Sequence, residues 1–112
     1  MEITEEKRGE VKIVGLRGRL DAITSPEVEK RLLAMVDQSG VRIAVDLSGL
    51  SYISSLGLRV LMVVAKQVRS GGGRLALAAL SDNVHEIFKI AGFTNLFCVY
   101  PTVDEAAAYC AG

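Results

Sequence analysis

Two adjacent serines, Ser54 and Ser55, open the apolar run of SYISSLGLRVL. A serine hydroxyl can attack a substrate when a base takes its proton, accept a phosphoryl group, or cap a helix. The first use needs a base. The only histidine, His85, lies on the outer side of a helix whose apolar stripe is Val84, Ile87 and Phe88, and SYISSLG lacks the G-x-S-x-G elbow. An enzyme reading therefore fails for want of parts. The glycine-rich RSGGGR follows a helix and precedes a strand, the reverse of a phosphate loop, so it reads as a helix stop and turn. Cys98 and Cys110 have no ligand-spaced partners and sit in apolar contexts; both are expected in the core as free thiols, with no metal and no cofactor.

The elements that would position the serines come from patterning. VKIVGL (11–16) reads as a buried strand, preceded by a weaker one near residues 2–6 and the turn KRGE. A helix follows LDAITSPEV, with either Ser25 ahead of Pro26 or Thr24 with Glu27 as its cap, a stripe of Val28, Leu32, Met35 and Val36, and Gly40 as its end. VRIAVDL sets Val41, Ile43, Val45 and Leu47 on one face and Ala44 on the other. Residues 55–70 form a helix with Leu58, Leu61, Met62, Ala65 and Val68 on one side. RLALAAL is a strand, SDNVHEIFKIAG a helix, LFCVY a short strand and TVDEAAAYC a helix capped by Thr102. This order predicts a single α/β domain over residues 1–112, a largely parallel sheet covered by about four helices. Parallel crossovers would bring Asp21, Asp46, Ser54 and Ser55 to one rim of it, the usual ligand edge of an open α/β sheet.

Composition narrows the partners. The 112 residues carry 13 Lys+Arg and 13 Asp+Glu, so the chain lacks the bulk positive field of a nucleic-acid binder. MEITEEKRGE has no signal-peptide core, and the runs VLMVVA and LALAAL are far shorter than the ~20 residues of a membrane span. A cytoplasmic protein without membrane insertion is expected. At a helix N-terminus a phosphate on Ser55 would meet unpaired amides and a favourable dipole, and Gly57 would let another protein approach the backbone. The same residues also read as a plain cap and a packing glycine, and physics alone favours that simpler reading. Val60 and Val63 lie off the main stripe, either as an apolar patch beside the serines or as core.

The run VDLSGLSYISSLGLRVL, with GRLDAITSPEV before it and GGGRLALAAL and VHEIFKIAGFTNLF after it, resembles the STAS-domain proteins, especially bacterial anti-sigma factor antagonists. The resemblance covers nearly the whole chain. It implies a protein that captures an anti-sigma factor, often itself a serine kinase, and that is switched off by phosphorylation of one serine and restored by a phosphatase. The family's Asp-Ser-small-Gly-Leu pattern falls on Ser54, Ser55, Leu56, Gly57 and Leu58, which makes Ser55 the implied acceptor. Ser54 stands where the family often carries Asp, and Leu56 where it carries a small residue. Asp21 and Asp46 match the flanking acidic positions, so the implied partner-binding set is Asp21, Asp46, Ser54, Ser55, Leu56 and Gly57, with Val60 and Val63 beyond. The alternative is a constitutive STAS interaction subunit of a lipid-transport or other membrane-associated assembly.

Overall fold

A computed structural model describes residues 1–112. The antiparallel pair Glu2–Arg8 (β1) and Val11–Leu20 (β2) turns at Gly9, whose φ of 63° suits glycine. Then come Ser25–Met35 (α1), Arg42–Asp46 (β3), Leu50–Ile53 (β4), Ser55–Ser70 (α2), Arg74–Ala78 (β5), Asp82–Ile90 (α3), Cys98–Tyr100 (β6) and Val103–Ala111 (α4), with a 3-10 turn at Thr94–Leu96 before β6. The sheet order is β1-β2-β3-β5-β6, with β4 paired to the far end of β2; every pairing except β1 with β2 is parallel. The expected α/β architecture with four helices is present.

Strand alternation divides the helices between the faces of the sheet. Val14, Leu16, Ile43, Val45 and Leu77 join Val28 and Leu32 of α1, Leu58, Leu61 and Val64 of α2, and Val84 and Phe88 of α3 in the larger core. On the other face Val11, Ile13, Ala44, Ala76 and Ala78 receive α4 alone, through Ala106, Ala107 and Cys110. Small side chains on both sides let α4 lie close to the strands. Gly73 is needed for a similar reason, since a Cβ there would collide with the Val41 carbonyl. The Gly71–Gly73 run is accordingly the turn from α2 into β5, as its order in the sequence implied.

Several local expectations are corrected. The helix expected to run to Gly40 stops at Met35, because its apolar stripe ends at Val36 and Asp37–Ser39 are turn-forming; Gly40 takes a φ of 73° in the turn to β3. The Thr24–Glu27 capping box does not form. The Thr24 hydroxyl donates instead to the Arg19 carbonyl at 2.7 Å, and the Ser25 hydroxyl is buried without a partner. Met62 is exposed while Val60 and Val64 are buried, because α2 lies against α1 as well as over the sheet, which rotates its buried face. Cys98, expected in the core, is exposed on the edge strand β6, whereas Cys110 is buried.

Candidate functional site

β2 sets the geometry of the serine end. Its Gly15 is level with Asp46 at the end of β3, yet β2 runs five residues further, about 16 Å, to Leu20. β4 fills the space beside this overrun, with Leu20 level with Ile53. The Ser54 amide then donates to the Leu20 carbonyl at 2.9 Å, so the entry to α2 is tied by backbone to the start of the Asp21 turn.

The two serines have different roles. Ser54 is extended (φ −93°, ψ 175°), and its hydroxyl accepts from the Gly57 amide at 3.3 Å as the N-cap of α2. Ser55 is the first helical residue, exposed, and its hydroxyl makes no hydrogen bond within the chain. No acidic residue occupies the first turn of α2, so the field of this 16-residue helix is unopposed there by its own side chains.

Asp21 stands beside this end. Its carboxylate accepts from the amides of Thr24 at 3.1 Å and Ile23 at 3.0 Å, and it lies 3.9 Å from Arg19. The Thr24 amide, with smaller contributions from Ile23, the Thr24 hydroxyl and Arg19, holds the Asp21 carboxyl below its ordinary range, against a lesser desolvation effect. The Arg19 guanidinium also lies 4.4 Å from the centre of the Tyr52 ring. Asp21 is thus fixed as an anion next to the serine end.

Of the four residues expected on one rim, Asp21, Ser54 and Ser55 lie at the head of α2, with Leu56 beside them. Asp46 does not join them. It lies on the α4 side of the sheet, level with Gly15, and its carboxylate accepts from the Ser48 amide at 3.0 Å. Its sequence position after a strand was misleading because the shared rim is stepped by the overrun of β2. Gly57 and Val60 face inward; a Cβ at Gly57 would stand 2.8 Å from atoms of Ile53 and Leu20. Val63, two turns along α2, is half-buried.

Sequence reasoning named Leu56 and a possible Val60–Val63 patch but missed the apolar residues that other elements bring to Ser55. A cleft of about 240 Å³ on one side is lined by Tyr52, Leu58, Ile87 and Ile90 as well as both serines, and Ile90 is 80% exposed. On the other side Leu56, 45% exposed, borders a cleft of about 150 Å³ shared with Pro26, Glu29 and Arg59. Ile23, in the Asp21 turn, is 88% exposed. The signal was available: Ile90 falls off the Val84–Phe88 stripe, and Ile23 is an isoleucine inside a polar turn. Such a rim, with a free hydroxyl at its centre, suits a protein surface better than a small molecule.

Comparison with known proteins agrees with this architecture. The STAS domain family profile matches residues 2–106. The chain is a STAS domain. Within that family it belongs with the anti-sigma factor antagonists. BtrV of Bordetella bronchiseptica, provisionally named an anti-sigma factor antagonist, is 40% identical over 108 residues, 96% of this chain and 93% of BtrV. In fold the STAS domain is similar to an anti-sigma factor antagonist of Mycobacterium paratuberculosis, with a TM-score of 0.89 at 24% identity over 99% of this chain and 94% of that one. It is also similar to the anti-sigma factor antagonist SpoIIAA in its unphosphorylated form, with a TM-score of 0.81 at 21% identity over 99% of this chain and 97% of SpoIIAA. Against a phosphorylated form of SpoIIAA from Bacillus the TM-score is 0.72 at 20% identity over 96% and 98%. No helix is long and apolar enough to cross a membrane.

Proposed function

We propose that this STAS domain captures an anti-sigma factor that is also a serine kinase, and that phosphorylation of Ser55 releases it until a serine phosphatase resets the switch. The observation that carries the reading is the division of labour between the serines: Ser54 is used as the cap, which leaves the Ser55 hydroxyl exposed and unengaged at the helix end. In the transfer, the bond from the γ-phosphorus of ATP to ADP breaks and the Ser55 Oγ–P bond forms. The hydroxyl proton goes to a base on the kinase, since the chain's only imidazole, His85, is on α3 and lines a different cavity. The product adds about 1.5–2 negative charges beside the fixed anion Asp21.

In the free domain those charges face water and the N-terminus of α2, so the fold is expected to tolerate them. Pressed into an apolar interface beside the anion Asp21 they would lose their water with only Arg59 in reach, a loss of several kcal/mol against ~1 kcal/mol or less gained from the dipole. A net ~3 kcal/mol weakens binding about a hundredfold. The partner surface on this reading includes Asp21, Ser55, Leu56, Ile23 and Ile90, with Val63 at its margin; Ser54, Gly57 and Val60 support it from inside, and Asp46 belongs to another part of the rim.

Ser55→Ala is expected to bind the anti-sigma factor and to take no phosphate, Ser55→Asp to bind poorly, and Ser54→Ala still to be modified on Ser55. Phosphosite mapping by mass spectrometry, with calorimetric affinities for each variant, checks all three. Equal affinity for the modified and unmodified forms would point instead to a constitutive interaction module.

A further inference from the structure

A second surface lies further along α2. The outer side of the helix and the 3-10 turn at Thr94–Leu96 enclose an open groove of about 470 Å³. Its cations are Arg59, Lys66 and Arg69, and no acidic residue lines it. None of the three takes part in any of the chain's ion pairs. Its floor is apolar: Met62, 39% exposed, and Val63 from α2, with Leu96, 44% exposed, and Phe97 opposite. In a chain of formal net charge zero, this is a local concentration of unpaired positive charge around exposed apolar side chains. Lys66 and Arg69 are 11 and 14 residues beyond Ser55, about 16 and 21 Å along the helix axis, well clear of the serine end.

We infer that this groove docks an acidic amphipathic helix of a protein partner, with leucine-like side chains on Met62 and Leu96 and carboxylates against Arg59, Lys66 and Arg69. Charge complementarity selects that occupant. An apolar helix without acid would leave three cations partly desolvated and unpaired, and a polyanion without an apolar face would leave Met62 and Leu96 in water. The groove's cations run from Arg59 to Arg69, about 15 Å, which matches roughly three turns of a partner helix laid against it. Arg59, one turn from Ser55, borders both surfaces, whereas Met62, Lys66, Arg69 and Leu96 belong to the groove and not to the clefts beside Ser55, so docking through them does not require Ser55 to be a switch.

The test uses the full chain and a synthetic 14-residue peptide of leucine and glutamate, with leucines at i, i+3, i+4 and i+7. Two control peptides have the same composition in strict alternation, or lysine for every glutamate. Amide chemical-shift mapping is expected to place the first peptide on residues 59–70 and 94–97 and neither control there. The variant Lys66→Glu/Arg69→Glu, both positions being exposed, should keep its melting temperature and bind the peptide roughly tenfold more weakly or less tightly still. Equal binding of the alternating control, unchanged affinity in the variant, or shifts centred on Ser55 would overturn the inference. So would stronger binding to phosphatidylglycerol vesicles than to the peptide, or a dimer that the same variant dissolves.

Discussion

Gly57 is where the first turn of α2 rests on the end of β2. A Cβ there would stand 2.8 Å from Leu20 Cγ, Ile53 Cγ1 and the Leu20 carbonyl, and the carbonyl cannot rotate away. Alanine gains up to ~1 kcal/mol of helix propensity, less in a first turn, but the overlap costs about 1–3 kcal/mol. Gly57→Ala should therefore destabilise the domain by roughly 1–2 kcal/mol in urea unfolding, and Ser55 should shift outward with the helix. A neutral result would show that α2 can ride up without loss. At this scale the sequence singled out the stretch that opens α2 but could not say which serine capped. That choice depends on Ser54 being extended, which follows from the Leu20 bond and so from a distant strand. Cys98 was misread because LFCVY is apolar in sequence while β6 is an edge strand with one neighbour.

Along α2, Ser55 and Arg59 are four residues apart and both exposed, and Arg59 forms no ion pair. A phosphate at position 55 is thus within reach of the guanidinium, in the favourable order of anion before cation. Glu29, which lines the same cleft as Arg59, is the competing anion, and Asp21 and Arg19 are the other charges at this end. With phosphoserine installed at position 55, phosphorus NMR titration should give a lower second phosphate pKa in the wild type than in Arg59→Gln. Identical titration curves would remove Arg59 from the phosphate's surroundings. The element order was readable because each helix and most strands carry their own period and punctuation. β4 was not. LSYI is too short for alternation to register, and it is a strand only because β2 overruns β3 and offers a free edge. Asp46 was misplaced for the same reason.

The whole molecule is lopsided: three helices share one face of the sheet, and α4 covers the other alone. That cover is tight enough to bury Cys110, whose thiol donates to the Ile43 carbonyl at 3.3 Å, while Cys98 meets solvent. In the native domain one thiol should react promptly with a disulfide reagent and the second only after unfolding, and Cys98→Ser should remove the fast phase. Two fast thiols would mean that α4 opens readily. Burial pushes the Cys110 thiol above its ordinary 9.0. The unfolded chain then ionises first, so this contribution to stability is full below that value and declines as pH rises through the folded one.

The backbone bond from Ser54 to Leu20 has a consequence for timing. Because that bond and the buried contacts of Gly57 clamp the head of α2, a modification at its tip leaves little room for a slow rearrangement before the surface reads differently. If Ser55 is the proposed switch, the delay between an enzyme reaching it and the change in binding would be set by encounter and chemical transfer, with no refolding step between them. A cell that relied on such a domain would tune its response through the amounts and speeds of the two enzymes, and the domain itself would contribute neither memory nor lag.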